Sequence, residues 1–199
     1  MKKMILACLL AIISLGATAQ TAKQVLDKTA KVISSKGGAT ANFSVSGNKI
    51  GSASGTIAIK GNKFNARTSQ AIVWYNGKTQ WSYLKKTNEV NVSTPTQAQQ
   101  QSMNPYTFIN IYKTGYDMSM KTVGGNYQVH LTAQNKKRSV QELYITVNKT
   151  SYVPSQVKMR QGKDWTTINV SNFKAKNIPN STFNFNSKEC PSAEVIDLR

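Results

Sequence analysis

Apolar and polar positions follow one period at the start of this chain and another through most of the rest. Ala22, Val25, Leu26, Ala30, Val32 and Ile33 approximate a helical stripe. Thr21 and Gln24 precede it at capping-box spacing, and Gly37-Gly38 stops it. From there the period becomes two. Ala41, Phe43 and Val45 alternate with Asn42, Ser44 and Ser46, and Gly51, Ala53, Gly55, Ile57 and Ile59 alternate with Ser52, Ser54, Thr56, Ala58 and Lys60. Each such strand has a single apolar face, the mark of an antiparallel sheet covered on one side.

The run from Ile72 to Tyr83 places two aromatic strands around Asn76-Gly77, a dipeptide suited to the positive φ angles of a two-residue type I′ turn. It reads as a hairpin, and Asn88 to Val92 as the next antiparallel strand. Alternation resumes at Tyr116/Met118/Met120, turns at Gly124-Gly125-Asn126, and continues through Tyr127/Val129/Leu131/Ala133. Further runs surround Leu143/Ile145/Val147, Val153/Val157/Met159, Ile168/Val170 and Phe183/Phe185. One interruption breaks the series. Thr94-Pro95-Thr96-Gln97 and Asn104-Pro105 are helix starts, Gly115 is a stop, and Phe108, Ile109 and Tyr112 fall on one helical face between them. About eleven strands and two helical pieces result. So many one-faced strands must curl toward a barrel or split into a sandwich, with the helices covering the open side. A strongly curved sheet over helices leaves room for an apolar ligand.

The first 19 residues stand apart. Lys2-Lys3, the apolar run Met4 to Leu15 and the small residues Ala17-Thr18-Ala19 have the zones of a secretory signal peptide cleaved after Ala19, with residues 20–199 as one domain. The run is too short to span a membrane. Cys8 lies inside it, too early for a lipoprotein cleavage site, so Cys190 is the single cysteine of the mature chain and no internal disulfide is expected. A mature chain of 180 residues buries enough surface for a single core.

Charge narrows the partners. Losing Lys2 and Lys3 leaves 24 basic and 8 acidic residues, a balance of +16. The basic residues are scattered through loops and polar strand faces, and the longest run is Lys136-Lys137-Arg138. That dispersion in an exported chain argues against nucleic acid, and leaves an anionic membrane or lipoprotein partner beside a merely solvated basic surface. Catalytic chemistry finds little support. His130, the only histidine, sits on the polar side of its strand, the acidic residues are scattered, and no metal-ligand spacing, phosphate loop or nucleophile elbow occurs, so neither enzyme activity nor a cofactor is expected.

The order of these features resembles the periplasmic outer-membrane lipoprotein carrier family, LolA-like. The resemblance rests on Gly55-Thr-Ile-Ala-Ile-Lys60 leading to Lys63-Phe64, on Gly77-Lys78-Thr79-x-Trp81-x-Tyr83, on Glu89-Val90, on Asn104-Pro-Tyr-x-Phe108, and on Thr182-Phe183-x-Phe185 before Val195-Ile196-Asp197. It implies a mainly β fold: an unclosed, half antiparallel β-barrel with an N-terminal helix and a short helical insertion as lid. It also implies a monomeric periplasmic carrier that takes acylated lipoproteins from an inner-membrane ATP-driven release complex and passes them to an outer-membrane acceptor. Where the family pattern often has an arginine-proline pair implicated in lid movement, this chain reads Gly61-Asn62. The hairpin aromatics and apolar faces are carried over as cavity lining: Phe43, Val45, Ile57, Ile59, Phe64, Trp74, Trp81, Tyr83, Val90, Val92, Phe108, Ile109, Met118 and Met120. From composition alone the same aromatics read first as a packed core, and the cavity reading draws its support from the rest of the chain. The alternative function is an exported lipid-binding or envelope protein of this fold without lipoprotein transfer.

Overall fold

The computed structural model describes residues 20–49, 51–96, 99 and 111–199. Residues 1–19 and most of the insertion, including Phe108 and Ile109, lie outside the described residues. Helix α1 (Ala22–Ser34) opens the domain. The strands follow as β1 (Ala39–Gly47), β2 (Gly51–Lys60), β3 (Lys63–Thr68), β4 (Ala71–Tyr75), β5 (Gln80–Leu84) and β6 (Glu89–Ser93). After the insertion come β7 (Tyr116–Val123), β8 (Asn126–Ala133), β9 (Glu142–Asn148), β10 (Pro154–Gln161), β11 (Asp164–Ala175) and β12 (Glu194–Asp197).

All twelve strands belong to one unclosed sheet, in the order β12-β6-β5-β4-β3-β2-β1-β11-β10-β9-β8-β7. Two meanders, β1 to β6 and β7 to β11, meet where β1 pairs with β11. Every pairing is antiparallel except the last, β12 beside β6. The chain leaves β6 near one edge of the sheet and re-enters at β7, the opposite edge. The connection between them lies between Ser93 and Tyr116. Its return leg is seen on the concave side, where Ile111 and Tyr112 join the same apolar core as α1.

Local chemistry accounts for the elements. Thr21 and Gln24 make both bonds of the capping box, and Val25, Leu26, Thr29 and Ile33 form the buried face of α1. Thr29 fits there because its hydroxyl donates to the Val25 carbonyl oxygen at 3.0 Å. Gly38 then lets the chain pass tightly under β2: a Cβ at that position would stand 2.5 Å from the Ile59 carbonyl oxygen. Gly61-Asn62 forms the two-residue turn between Lys60 and Lys63, with Gly61 at φ +60°.

Four sequence expectations are corrected. The hairpin tip is Gly77-Lys78 instead of Asn76-Gly77, because Trp74 lies opposite Trp81 and Tyr75 opposite Gln80. The Asn76 amide donates to the Thr79 carbonyl oxygen at 3.2 Å, while its side-chain oxygen accepts from the amides of Lys78 and Thr79. Asn76 thus acts as a side-chain clamp, and only Gly77 takes positive φ. Second, the insertion's first helical cap is Thr96, whose amide and hydroxyl bond Gln99, and not Thr94. Third, Phe183 and Phe185 are not on a strand; Asn180–Phe183 is a short 3-10 helix. Fourth, Val153 precedes β10, which starts at Pro154 and is irregular before Gln156.

Candidate functional site

Side chains directly opposite one another in a sheet share a face, so the register sorts every residue to one side. One transverse row runs Ala39, Ile59, Phe64, Tyr75, Gln80 and Ser93, and the next runs Ala41, Ile57, Ala66, Val73, Ser82 and Asn91. These rows form the concave face: their apolar members pack into the core with Val25, Leu26 and Ile33 of α1. Across β1 it continues through Phe43 and Val45 to Val170 and Ile168, then Val157 and Met159, Leu143 and Ile145, Val129 and Leu131, and finally Met118 and Met120. Only part of this surface is sealed. Phe43, Val45, Met118, Met120, Tyr127 and Val170 stay half-buried at its margin. Opposite Phe43 and Val45 stand Gly55 and Ala53, and the β3 backbone closes on Gly55, where a Cβ would stand 1.9 Å from the Arg67 carbonyl oxygen.

The opposite face has the reverse polarity. Its rows read Thr40, Ala58, Asn65, Trp74, Trp81, Val92 and Asn42, Thr56, Arg67, Ile72, Tyr83, Val90. They are polar at β1 to β3 apart from Ala58, and apolar at β4 to β6. The chain after β11 covers the apolar end: Phe183 is fully buried, Phe185 packs edge-on to Trp74 with ring centroids 5.4 Å apart, and β12 extends the sheet beyond β6. Arg67 ties the cover down. It lies over the Trp74 ring at 5.7 Å, donates to the Asn65 side chain at 2.8 Å, and pairs with Glu189 at 2.7 Å. Lys60 and Asn76 reach the same segment, donating to the Ile178 carbonyl oxygen and the Asn184 side chain.

The predicted lining therefore divides. Phe43, Val45, Ile57, Ile59, Phe64, Met118 and Met120 come together on the concave face. Trp74, Trp81, Tyr83, Val90 and Val92 lie on the far side of the sheet, under or beside the C-terminal segment, and cannot share a cavity with the first group. Phe108 and Ile109 lie outside the described residues. Sequence reasoning missed Tyr75, which replaces Trp74 on the concave side and packs on Phe64 with ring centroids 5.6 Å apart. The signal that decides between them is the partner of β4: Phe64, and not Asn65, continues the apolar row from Ile59.

A crevice of about 430 Å³ opens on the concave side at the C-terminal end of α1. Ile33 and Ile59 supply apolar wall, and Lys31, Lys60 and Lys113 stand around it. Asp27, further back on α1, links the helix to the insertion's return leg: Lys23 donates to one carboxylate oxygen at 2.8 Å and the buried Tyr112 hydroxyl to the other at 2.6 Å. The Lys23 contact, then the Tyr112 contact, holds the Asp27 carboxyl below its usual range, and burial followed by Asp27 raises the Tyr112 phenol.

Other reactive groups are engaged elsewhere. His130 is on the outer face, stacked on Tyr144 with centroids 4.2 Å apart and 3.3 Å from Glu142. Arg160, then His130, holds Glu142 below the usual carboxylate range. Cys190 is buried in the C-terminal cover, and burial followed by Glu189 pushes its thiol up. Among the described residues no three His, Cys, Asp or Glu side chains gather into a metal-holding group, and no helix is long and apolar enough to cross a membrane.

An unclosed, mainly antiparallel sheet with a helix laid on one apolar face and a half-buried apolar margin defines the fold class, an open β-barrel with an N-terminal helix. The chain belongs to the outer membrane lipoprotein carrier protein LolA family, whose model matches residues 12–163. Among solved structures, an uncharacterized conserved protein from Thermus thermophilus is 14% identical, with 89% of this chain and 99% of that one covered at a TM-score of 0.57, a likeness of fold. A LolA superfamily protein from Nitrosomonas europaea is 11% identical over 84% and 99% of the two chains, TM-score 0.48. Lipoprotein LppX from Mycobacterium tuberculosis is 9% identical over 79% and 96%, TM-score 0.45. No curated protein matches the chain in sequence.

Proposed function

We propose that this protein is a non-enzymatic periplasmic carrier that shields the acyl chains of lipoproteins on its concave face. In this reading it receives them from an inner-membrane ATP-driven release complex and delivers them to an outer-membrane acceptor. The observation that carries the reading is the unsealed apolar margin of Phe43, Val45, Met118, Met120 and Val170, in a chain of the LolA family. An acyl chain costs about 0.8 kcal/mol per CH₂ exposed to water, so a multiply acylated protein needs a cover to cross an aqueous compartment. Contacts with branched side chains and adaptable methionines are non-directional, which lets the same surface hold chains firmly and still give them up.

The test is extraction. Purified protein mixed with donor membranes, the release complex and ATP should bring acylated lipoprotein into the soluble fraction as a stoichiometric complex visible by native mass spectrometry. If it binds acyl lipid but never accepts lipoprotein from a complex that does load another carrier, the lipid-binding role without transfer takes its place.

A further inference from the structure

The concave face is itself amphipathic, and the change of polarity falls at one place. Its two long rows are apolar from β1 to β4, then become Gln80 and Ser93 in one row and Ser82 and Asn91 in the other. Tyr75 is the last aromatic before that change. Its side chain is 2% exposed, yet its hydroxyl has no hydrogen-bond partner among the described residues. The neighbouring Gln80, 6% exposed, turns its amide to the Ser82 hydroxyl at 3.1 Å and not to Tyr75. A buried donor without an acceptor is costly, and such groups in folded proteins are normally satisfied. Burial also raises the phenol's pKa, so at neutral pH the hydroxyl is a donor.

An acylated lipid has the complementary order: apolar chains, then a row of carbonyl oxygens where the chains join the head, then a polar head. We infer that the Tyr75 hydroxyl is the donor to an acyl carbonyl of the bound lipid, with the chains running toward the half-buried margin of Phe43, Val45 and Val170 and the head over Gln80, Ser82, Asn91 and Ser93. The inference rests on the carrier reading and adds to it a point of recognition for the linkage. Apolar contacts alone cannot distinguish an acyl chain from an alkyl chain. A buried donor can, because an ether-linked analogue lacks the carbonyl oxygen it bonds and offers only a weaker, displaced acceptor.

The experiment compares two synthetic lipopeptides with chains of equal length, one pair ester-linked and the other ether-linked, binding to the full chain and to Tyr75→Phe. Wild type should bind the ester form about 5- to 20-fold more tightly, the scale of one buried hydrogen bond, and Tyr75→Phe should reduce that ratio to near one. Without lipid, Tyr75→Phe should unfold at a denaturant midpoint no lower than wild type, since it removes a buried donor that has no protein acceptor. An ester preference unchanged in the variant, no preference in wild type, or a clear loss of unliganded stability would each overturn the assignment while leaving the carrier reading intact. Binding of neither lipopeptide by folded wild type would bring down the carrier reading and this inference with it.

Discussion

Trp74 and Tyr75 are neighbours in the chain and lie on opposite sides of one strand, so each is buried against a different partner. Trp74 meets Phe185 and Arg67 on the outer face, while Tyr75 meets Phe64 on the concave face. Acyl binding should follow that division. Phe43→Ala should weaken binding of a fluorescent fatty-acyl probe by about 1 to 3 kcal/mol, whereas Trp81→Ala should leave it unchanged in a protein that remains folded. A titration giving the reverse order would put the ligand on the wrong face. The link from α1 to the insertion depends on Asp27 and Tyr112. Tyr112→Phe should cost about 1 to 2 kcal/mol in chemical denaturation at neutral pH, below the full scale of a hydrogen bond to a charged group because the Asp27 carboxylate is half exposed to solvent. A carboxyl with a lower pKa folded than unfolded stabilises the fold when ionised. The Asp27 contribution is therefore complete above about pH 5 and is lost as the pH falls through about 4 and below. Wild type should lose more stability across that acid window than Tyr112→Phe, and parallel acid curves would show that the phenol does not act through Asp27.

At the scale of elements, the segment after β11 is what makes the inverted polarity of β4 to β6 tolerable. Strands with apolar Trp81, Tyr83, Val90 and Val92 on the outside would otherwise expose a hydrophobic patch and an unpaired edge. The segment crosses the outer face by way of Ile178 and Phe183, and β12 then pairs in parallel with β6. Phe183 is its deepest anchor, with no exposed surface. Phe183→Ala should destabilise the protein by about 3 to 5 kcal/mol. It should also speed hydrogen exchange in β12 and β6 ahead of β8 to β10, which lie at the other end of the sheet. Uniform exchange across all the strands would mean that the cover does not loosen independently. Helix α1 plays the matching part on the other side, where it seals only some of the concave surface.

At the scale of the whole molecule, the proposed carrier role makes the basic charge testable. The concave crevice beside Lys31 and Lys113 and the basic balance of the chain would suit the approach of an acidic partner or headgroup in that role. Raising salt should slow cargo hand-over more than it weakens cargo retention, because screening acts on steering and not on apolar contact. Hand-over rates that do not change between low and high salt would separate the charge from the transfer step.

By itself the sequence determined the repeating parts: the capped helix, the one-faced strands, the hairpin around Trp74 and Trp81, and the resemblance to the lipoprotein carrier family. All of these are set by interactions within a few residues, such as the Thr21 and Gln24 cap, or by a period that survives any particular register. Sequence alone could not say which face of β4 to β6 looks inward, since Ile72, Val73, Trp74 and Tyr75 are apolar on both sides. That was decided by contacts far apart in the chain. The pairing of Tyr75 with Phe64 extends the row from Ile59, and the C-terminal segment returns more than a hundred residues after Trp74 to bury it. A strand's alternation fixes which residues share a face, but only the surfaces laid against the two faces decide which one becomes the inside.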